Sequence, residues 1–339
     1  MSYNTKEEVA SLSDKSPDLE AYITKHELSN PANLGAVLAP PAPNPSLDQG
    51  EVVAIPLRDG KTLRIRVFRP TKASEAPKPL IVLIHGGGFM YGDNSFYSPI
   101  ARTIANLYSA VAVNISYRLA PMHTFPTAAH DTHDTVKWLS QNASSLGADL
   151  TKGFILFGGS AGANLAAVAT QNWVSSKSSP PITGVSLTVP VILSEEIVPK
   201  AYEHLWFSME QNQDALVLNK EAHAYYMDAY EPDVRSRDFS PFNDPTPHRG
   251  MPPVHFMVAG ADPLRDDGLL YERVLREHGV KTKMKVYPGM PHGFNIFPGF
   301  QMAKRAFYDE MLGVGWLLGD EKTEEDVEKL VPGGDFHSV

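Results

Sequence analysis

Cysteine is absent from the 339-residue chain, which excludes a disulfide framework, a thiolate metal site and a cysteine nucleophile together. Positive charge is in deficit, with 30 Lys and Arg against 39 Asp and Glu and a net charge of −9. Phosphate contacts need clustered Lys and Arg, so neither a nucleic-acid partner nor a polybasic membrane anchor is expected. Long apolar runs are missing too. The longest unbroken stretch of Leu, Ile and Val is Leu80–Ile84, far short of the roughly 20 residues that span a bilayer. The first 28 residues are polar and mixed in charge, without the apolar core of a secretory signal, and a soluble, cytoplasmic protein is expected. What is present suffices for a globular fold: 42% hydrophobic residues against 20% charged can bury a substantial core. The length allows one large domain or two ordinary ones, and no repeat is visible.

Eight segments read as strands. Residues 51–57 open the series, and in the next segment Leu63, Ile65 and Val67 alternate with Arg64 and Arg66, the pattern of a strand wet on one face. Continuous apolar strands follow at 80–85, 111–116, 154–158, 185–192 and 254–260, with a more polar one at 282–287. Helix-length segments separate most of them, at 96–108, 130–145, 161–175 and 266–278. Buried strands alternating with helices predict an α/β fold with a mostly parallel sheet covered on both faces. Two stretches fall outside this alternation. The N-terminal residues read as one or two short amphipathic helices (Val9, Leu12, Leu19, Tyr22, Ile23), followed by a proline-rich linker at Pro40, Pro41, Pro43 and Pro45. Residues 194–240 carry Tyr202, Trp206, Phe207, Tyr225, Tyr226, Tyr230 and Phe239 and read as helical. Together the two are expected to form a lid over the carboxyl edge of the sheet, where open α/β sheets bind ligands. The expected division is 1–50 N-terminal cap helices and linker, 51–193 first part of the core, 194–240 cap insertion, 241–318 second part of the core and 319–339 C-terminal tail.

Gly158-Gly159-Ser160-Ala161-Gly162 fits G-x-S-x-G, follows an apolar strand and opens an alanine-rich helix, the context a nucleophile elbow requires. The bare pattern is weak, since a glycine-lined phosphate loop or a plain turn would read the same way. His85-Gly86-Gly87-Gly88 ends an earlier buried strand and is far more specific. Consecutive glycines let backbone N–H groups converge on one point, as an oxyanion requires, and the string matches the oxyanion motif of lipases and esterases. A serine nucleophile needs a base and an acid that orients the base, in the chain order serine, acid, histidine for this elbow. Asp262 directly follows the strand at 254–260, and His292 follows the strand at 282–287, so both are expected on the edge that carries Ser160. Asp266 and Asp267 compete for the acid role but are expected inside the next helix.

With these residues in place, the chain resembles the hormone-sensitive-lipase-like branch of the α/β-hydrolases across about 80–297. The resemblance rests on HGGGF at 85–89, YRLAP at 117–121, FP at 125–126, GGSAGAN at 158–164, ADPLRDDG at 261–268 and PGMPHGF at 288–294. It implies an α/β-hydrolase fold, an eight-stranded, mostly parallel sheet with a helical cap, and a serine carboxylesterase that needs no cofactor and no metal. The small-molecule ester partner would meet Ser160 as nucleophile, His292 as general base and Asp262 as its orienting acid. The backbone N–H groups of Gly87, Gly88 and Ala161 would form the oxyanion hole, and Phe89, Trp206 and Phe207 are candidates for the substrate pocket. The chain departs from the family pattern at Gly159, where Asp or Thr is usual, and at Met122, where Glu is usual.

Other readings stay open at this level. The same constellation serves an aryl formamidase or a lactonase, and some proteins of this fold are non-catalytic small-molecule receptors, typically without the histidine that is present here. His130, His133 and Asp134 have ligand-like spacing on a helix, but capping and solvated polar roles explain them better than a metal does. The cap aromatics are expected mainly in the core of the cap. The segment at 282–287, as a possible edge strand, is compatible with a homodimer.

Overall fold

The computed structural model describes residues 3–39, 49–72 and 75–331. The proline-rich linker and the end of the C-terminal tail lie outside the described residues. Eight strands form one sheet: β1 Glu51–Pro56, β2 Thr62–Phe68, β3 Leu80–Ile84, β4 Val111–Ile115, β5 Phe154–Gly159, β6 Gly184–Thr188, β7 Val254–Ala259 and β8 Thr282–Tyr287. Their order is β1-β2-β4-β3-β5-β6-β7-β8, antiparallel for β1 with β2 and β2 with β4 and parallel for the rest. The apolar central strands alternate between two cores, because successive side chains point to opposite faces. Leu80, Val82 and Ile84 pack into one core with the helices Thr127–Asn142, Ala161–Ser175 and Arg265–Glu277. Ile81 and Leu83 face the other core, under the helices Ser98–Leu107 and Gln301–Leu318. β8 is an edge strand with five of its six residues half-buried, which accounts for its more polar sequence.

One strand is shorter than its sequence suggests. The apolar run at 185–192 leaves the sheet at Thr188, because Val189 takes φ +44° and Pro190 has no N–H for a ladder. The aromatic segment is less helical than its composition implies. Lys220–Tyr230 is its one helix longer than two turns among the described residues, and the rest is short turns and loop.

Asn164, in the first turn of the helix after β5, pins this segment at both ends. Its amide donates to the carbonyls of Val191 and Phe239, each at 2.8 Å, just before the insertion and at its last turn. The N-terminal residues close over the opposite flank. The Gly289 N–H donates to Leu12 O at 2.8 Å and the Ser13 hydroxyl to Gly260 O at 3.1 Å, on the loops after β8 and β7. Asn164→Ala would leave two buried carbonyls unpaired, each costing about 1–3 kcal/mol. Urea unfolding is expected to show a loss of roughly 2–6 kcal/mol. A loss below about 0.5 kcal/mol would mean that Asn164 does not tie the insertion to the core.

Candidate active site

Ser160 sits between β5 and the helix Ala161–Ser175 with φ +54° and ψ −119°, a conformation that a residue with a side chain takes only when its surroundings impose it. The glycines around it show what imposes it. A Cβ on Gly158 would overlap the Gly162 carbonyl, and one on Gly162 would overlap the Ile84 carbonyl at the end of β3. Strand, turn and helix therefore touch backbone to backbone. The Ser160 N–H donates to Thr188 O at 2.8 Å, fastening the turn to the next strand.

The three side chains expected together are together. His292 Nε2 lies 2.9 Å from Ser160 Oγ, and His292 Nδ1 lies 2.8 Å from Asp262 Oδ2. The carboxylate draws the ring proton to Nδ1, leaving Nε2 to accept from the serine hydroxyl. Asp262 is 1% exposed and accepts from the Leu264 N–H with its other oxygen at 2.9 Å. The acid and histidine loops are joined directly, Ala261 N–H to Met290 O at 2.9 Å. Asp266 and Asp267 have other work. Asp266 pairs with the buried Arg265 at 2.7 Å and accepts from the Phe207 and Ser208 N–H groups. Asp267 accepts from the Ile192 and Leu193 N–H groups and from Trp206 Nε1 at 2.8 Å, while burial pushes its carboxyl up to about 7 against the pull of those donors.

Gly87 and Gly88 bend the loop after β3 with φ of +104° and +58°. Among the described residues, the N–H groups of Gly87, Gly88 and Ala161 donate to no protein acceptor. Behind the loop, the Tyr117 hydroxyl donates to His85 O at 2.9 Å, and the His85 ring stacks on Tyr117 at 4.3 Å. Burial drives His85 down to about 4, so it is a neutral prop. The neighbouring Arg118 is fixed by Asp131 and Asp59, which accounts for the YR of the second motif.

A cavity of about 440 Å³ opens over Ser160 and His292. Phe89, expected in the pocket wall, lines it; Trp206 and Phe207 do not. That expectation is corrected: Asp267 holds the Trp206 indole and Asp266 the Phe207 backbone, turning both toward the acid loop. The cap contributes His223, Tyr226 and Met227 instead, with Tyr230 stacked on Phe89 at 4.0 Å. Their spacing of i, i+3, i+4 and i+7 on the helix Lys220–Tyr230 is the sequence signal that could have found them. The Tyr226 ring lies directly over Gly88, where a side chain would collide with it.

Both departures from the family pattern have a visible setting. Met122 is 87% exposed and is not among the residues lining the cavity. At Gly159 the space of a side chain is taken by the Tyr97 hydroxyl, which a Cβ would overlap. Behind it, Thr188 donates to the buried Glu310 at 2.8 Å. His130 and Asp134 go to different partners, Asp238 and Arg58. No group of three or more potential metal ligands occurs among the described residues. Nor is any described helix long and apolar enough to cross a membrane.

A family model described as the alpha/beta hydrolase fold matches residues 81–296. Versiconal hemiacetal acetate esterase of Dothistroma septosporum is 32% identical over 86% of this chain and 88% of its own. Carboxylesterase NlhH of Mycobacterium tuberculosis is 31% identical over 70% of this chain and 73% of its own. Among solved structures, vibralactone cyclase superposes with a TM-score of 0.78 at 31% identity, covering 91% of this chain and 96% of that one.

The setting of Gly159 makes a double-mutant prediction. Gly159→Ala is expected to lower activity and thermal stability together, and Tyr97→Phe, which removes the overlapping atom, to restore much of both in the double variant. Melting curves and ester hydrolysis of the four proteins measure the coupling. Strictly additive losses would show that the Tyr97 hydroxyl is not what excludes a side chain there.

Proposed function

The chain belongs to the α/β-hydrolase family, in its hormone-sensitive-lipase-like branch, and on that premise we propose that it is a serine carboxylesterase for small or medium acyl esters. The observation that carries the reading is the unbroken relay from Asp262 through His292 to the Ser160 hydroxyl, with the N–H groups of Gly87, Gly88 and Ala161 donating to no acceptor among the described residues. In acylation, Ser160 Oγ attacks the ester carbonyl carbon as His292 Nε2 takes its proton. The carbonyl oxygen becomes an oxyanion facing the three N–H donors, preset for charge that exists only in the transition state. The tetrahedral intermediate collapses, the bond to the alkoxy oxygen breaks, and His292 returns its proton to the departing alcohol. Water then enters on the same side, gives a proton to His292 and its oxygen to the acyl carbon. Collapse of the second intermediate releases the acid and restores the serine. Asp262 keeps the imidazole in the required tautomer and stabilises it when protonated.

Two features support the substrate class. A volume of about 440 Å³ falls at the small end of ligand sites. Its lining includes Leu38, Val189, Val191, Val217, Leu218 and Ile296, which suit an apolar acyl chain. A location in the cytoplasm fits the same reading.

Hydrolysis of 4-nitrophenyl esters from acetate to palmitate tests the proposal. The account expects a maximum in kcat/KM at short or medium chains, and a loss of roughly a thousandfold or more in Ser160→Ala. A maximum at palmitate would refute the acyl range. Undiminished turnover by Ser160→Ala would refute the mechanism.

A further inference from the structure

The catalytic cavity contains a second histidine that the relay does not use. His223 lines it from the cap helix Lys220–Tyr230, on the face that also presents Tyr226 and Met227. It shares the cavity lining with His292, and His292 and Asp262 are the groups that act on it electrostatically. Burial and the neighbouring His292 hold its pKa below the ordinary histidine range, so the ring is neutral, with one N–H to donate and one nitrogen to accept. Neither nitrogen has a hydrogen-bond partner among the described residues. Asn295, three residues after His292, lines the same cavity, and its amide is likewise without a partner among the described residues. Both side chains are half-buried and line the cavity, so their polar atoms are open to a ligand that takes the place of water there.

The chemistry of the relay says which half of a substrate they face. His292 must hand its proton to the departing oxygen, so the alcohol half of an ester lies on the His292 side of Ser160, while the carbonyl oxygen points to Gly87 and Gly88. Resting on the esterase reading above, we infer that His223 is a specificity-determining residue that hydrogen-bonds a second polar group, such as a free hydroxyl, on the alcohol half of the substrate, with Asn295 as its neighbour in the same subsite. The preferred substrates are then acyl esters of hydroxylated alcohols, not of plain alkanols. An apolar pocket barely discriminates for or against a hydroxyl, whereas a site holding unpaired hydrogen-bonding groups rejects the analogue that leaves them empty.

The test uses near-isosteric pairs in which a terminal hydroxyl replaces a methyl: 2-hydroxyethyl against propyl acetate, 3-hydroxypropyl against butyl acetate, and 4-hydroxybutyl against pentyl acetate. One hydrogen bond is worth a factor of roughly three to ten. The native protein is expected to favour the hydroxylated member of at least one pair by about that factor in kcat/KM. His223→Phe should bring the ratio near one, and His223→Gln, which keeps a donor and an acceptor, should recover part of it. A native ratio at or below one for every pair overturns the inference. So does a parallel loss on both members of each pair in His223→Phe, which would mean that the ring holds the cap or the attacking water. Hydrolysis of the plain alkyl acetates by the native protein, lost in Ser160→Ala, reports separately on the esterase reading. Its absence would overturn that reading and this inference with it.

Discussion

Backbone-to-backbone packing at the crossing of β3, β5 and the helix Ala161–Ser175 is the constraint on which the site depends. Gly158 and Gly162 let the strand and helix close on each other and on the Ile84 carbonyl, and the chain between them has room only for a turn with φ +54° at Ser160. The strain of that turn, of order 1–3 kcal/mol for such outliers, is borne by the two cores around it. What it yields is position. The serine hydroxyl meets His292 Nε2 at 2.9 Å, the Ala161 N–H at the start of the helix is left without a protein acceptor among the described residues, and Gly87 and Gly88 of the loop after β3 line the same cavity as Ser160. Every later step, from the relay to the oxyanion, uses coordinates fixed there.

The second organising feature is the acid loop after β7, where neighbouring charged residues divide the labour. Asp262 serves the histidine, while Asp266 and Asp267 spend their carboxylates on the backbone and indole donors of 192–193 and 206–208. Arg265, fully buried, joins Asp266 to Ser13 of the N-terminal cap and Gln211 of the insertion, at 2.7 Å and 2.8 Å. Cap and catalytic acid are thus held by one buried network. One guanidinium nitrogen of Arg265 is already buried without a partner, and losing Ser13 or Gln211 would leave more of the charge unpaired, which favours a single seating of the cap over the serine.

Much of this was legible in the sequence because its physical causes are local. Strands buried on both faces announce themselves as short apolar runs, and a serine set between small residues directly after such a run marks a tight strand-to-helix turn. Asp262 and His292 could be read because each directly follows a strand, and parallel strands put those ends on one edge. Trp206 and Phe207 could not be placed, because their orientation depends on carboxylates some 60 residues away along the chain. Only the fold reveals that pairing. The premature end of β6 was hidden for a related reason, since 185–192 is mostly apolar while the Thr188 carbonyl there is taken by the Ser160 N–H of the distant elbow. His223 carried a faint signal, a histidine in helical register with Tyr226, Met227 and Tyr230, but its meaning depends on which loop that helix face covers. Gly159 read as a bare departure until Tyr97 was seen to fill its space.

The central claim is that Ser160, activated by His292, is the acyl-accepting nucleophile. Treating the protein with an aryl alkylphosphonate, followed by intact-mass measurement and peptide mapping, tests it most directly. The account predicts one covalent adduct per chain, located on Ser160, forming in parallel with loss of ester hydrolysis and abolished in His292→Ala. An adduct on another residue, or full hydrolysis in protein whose Ser160 is blocked, would contradict it.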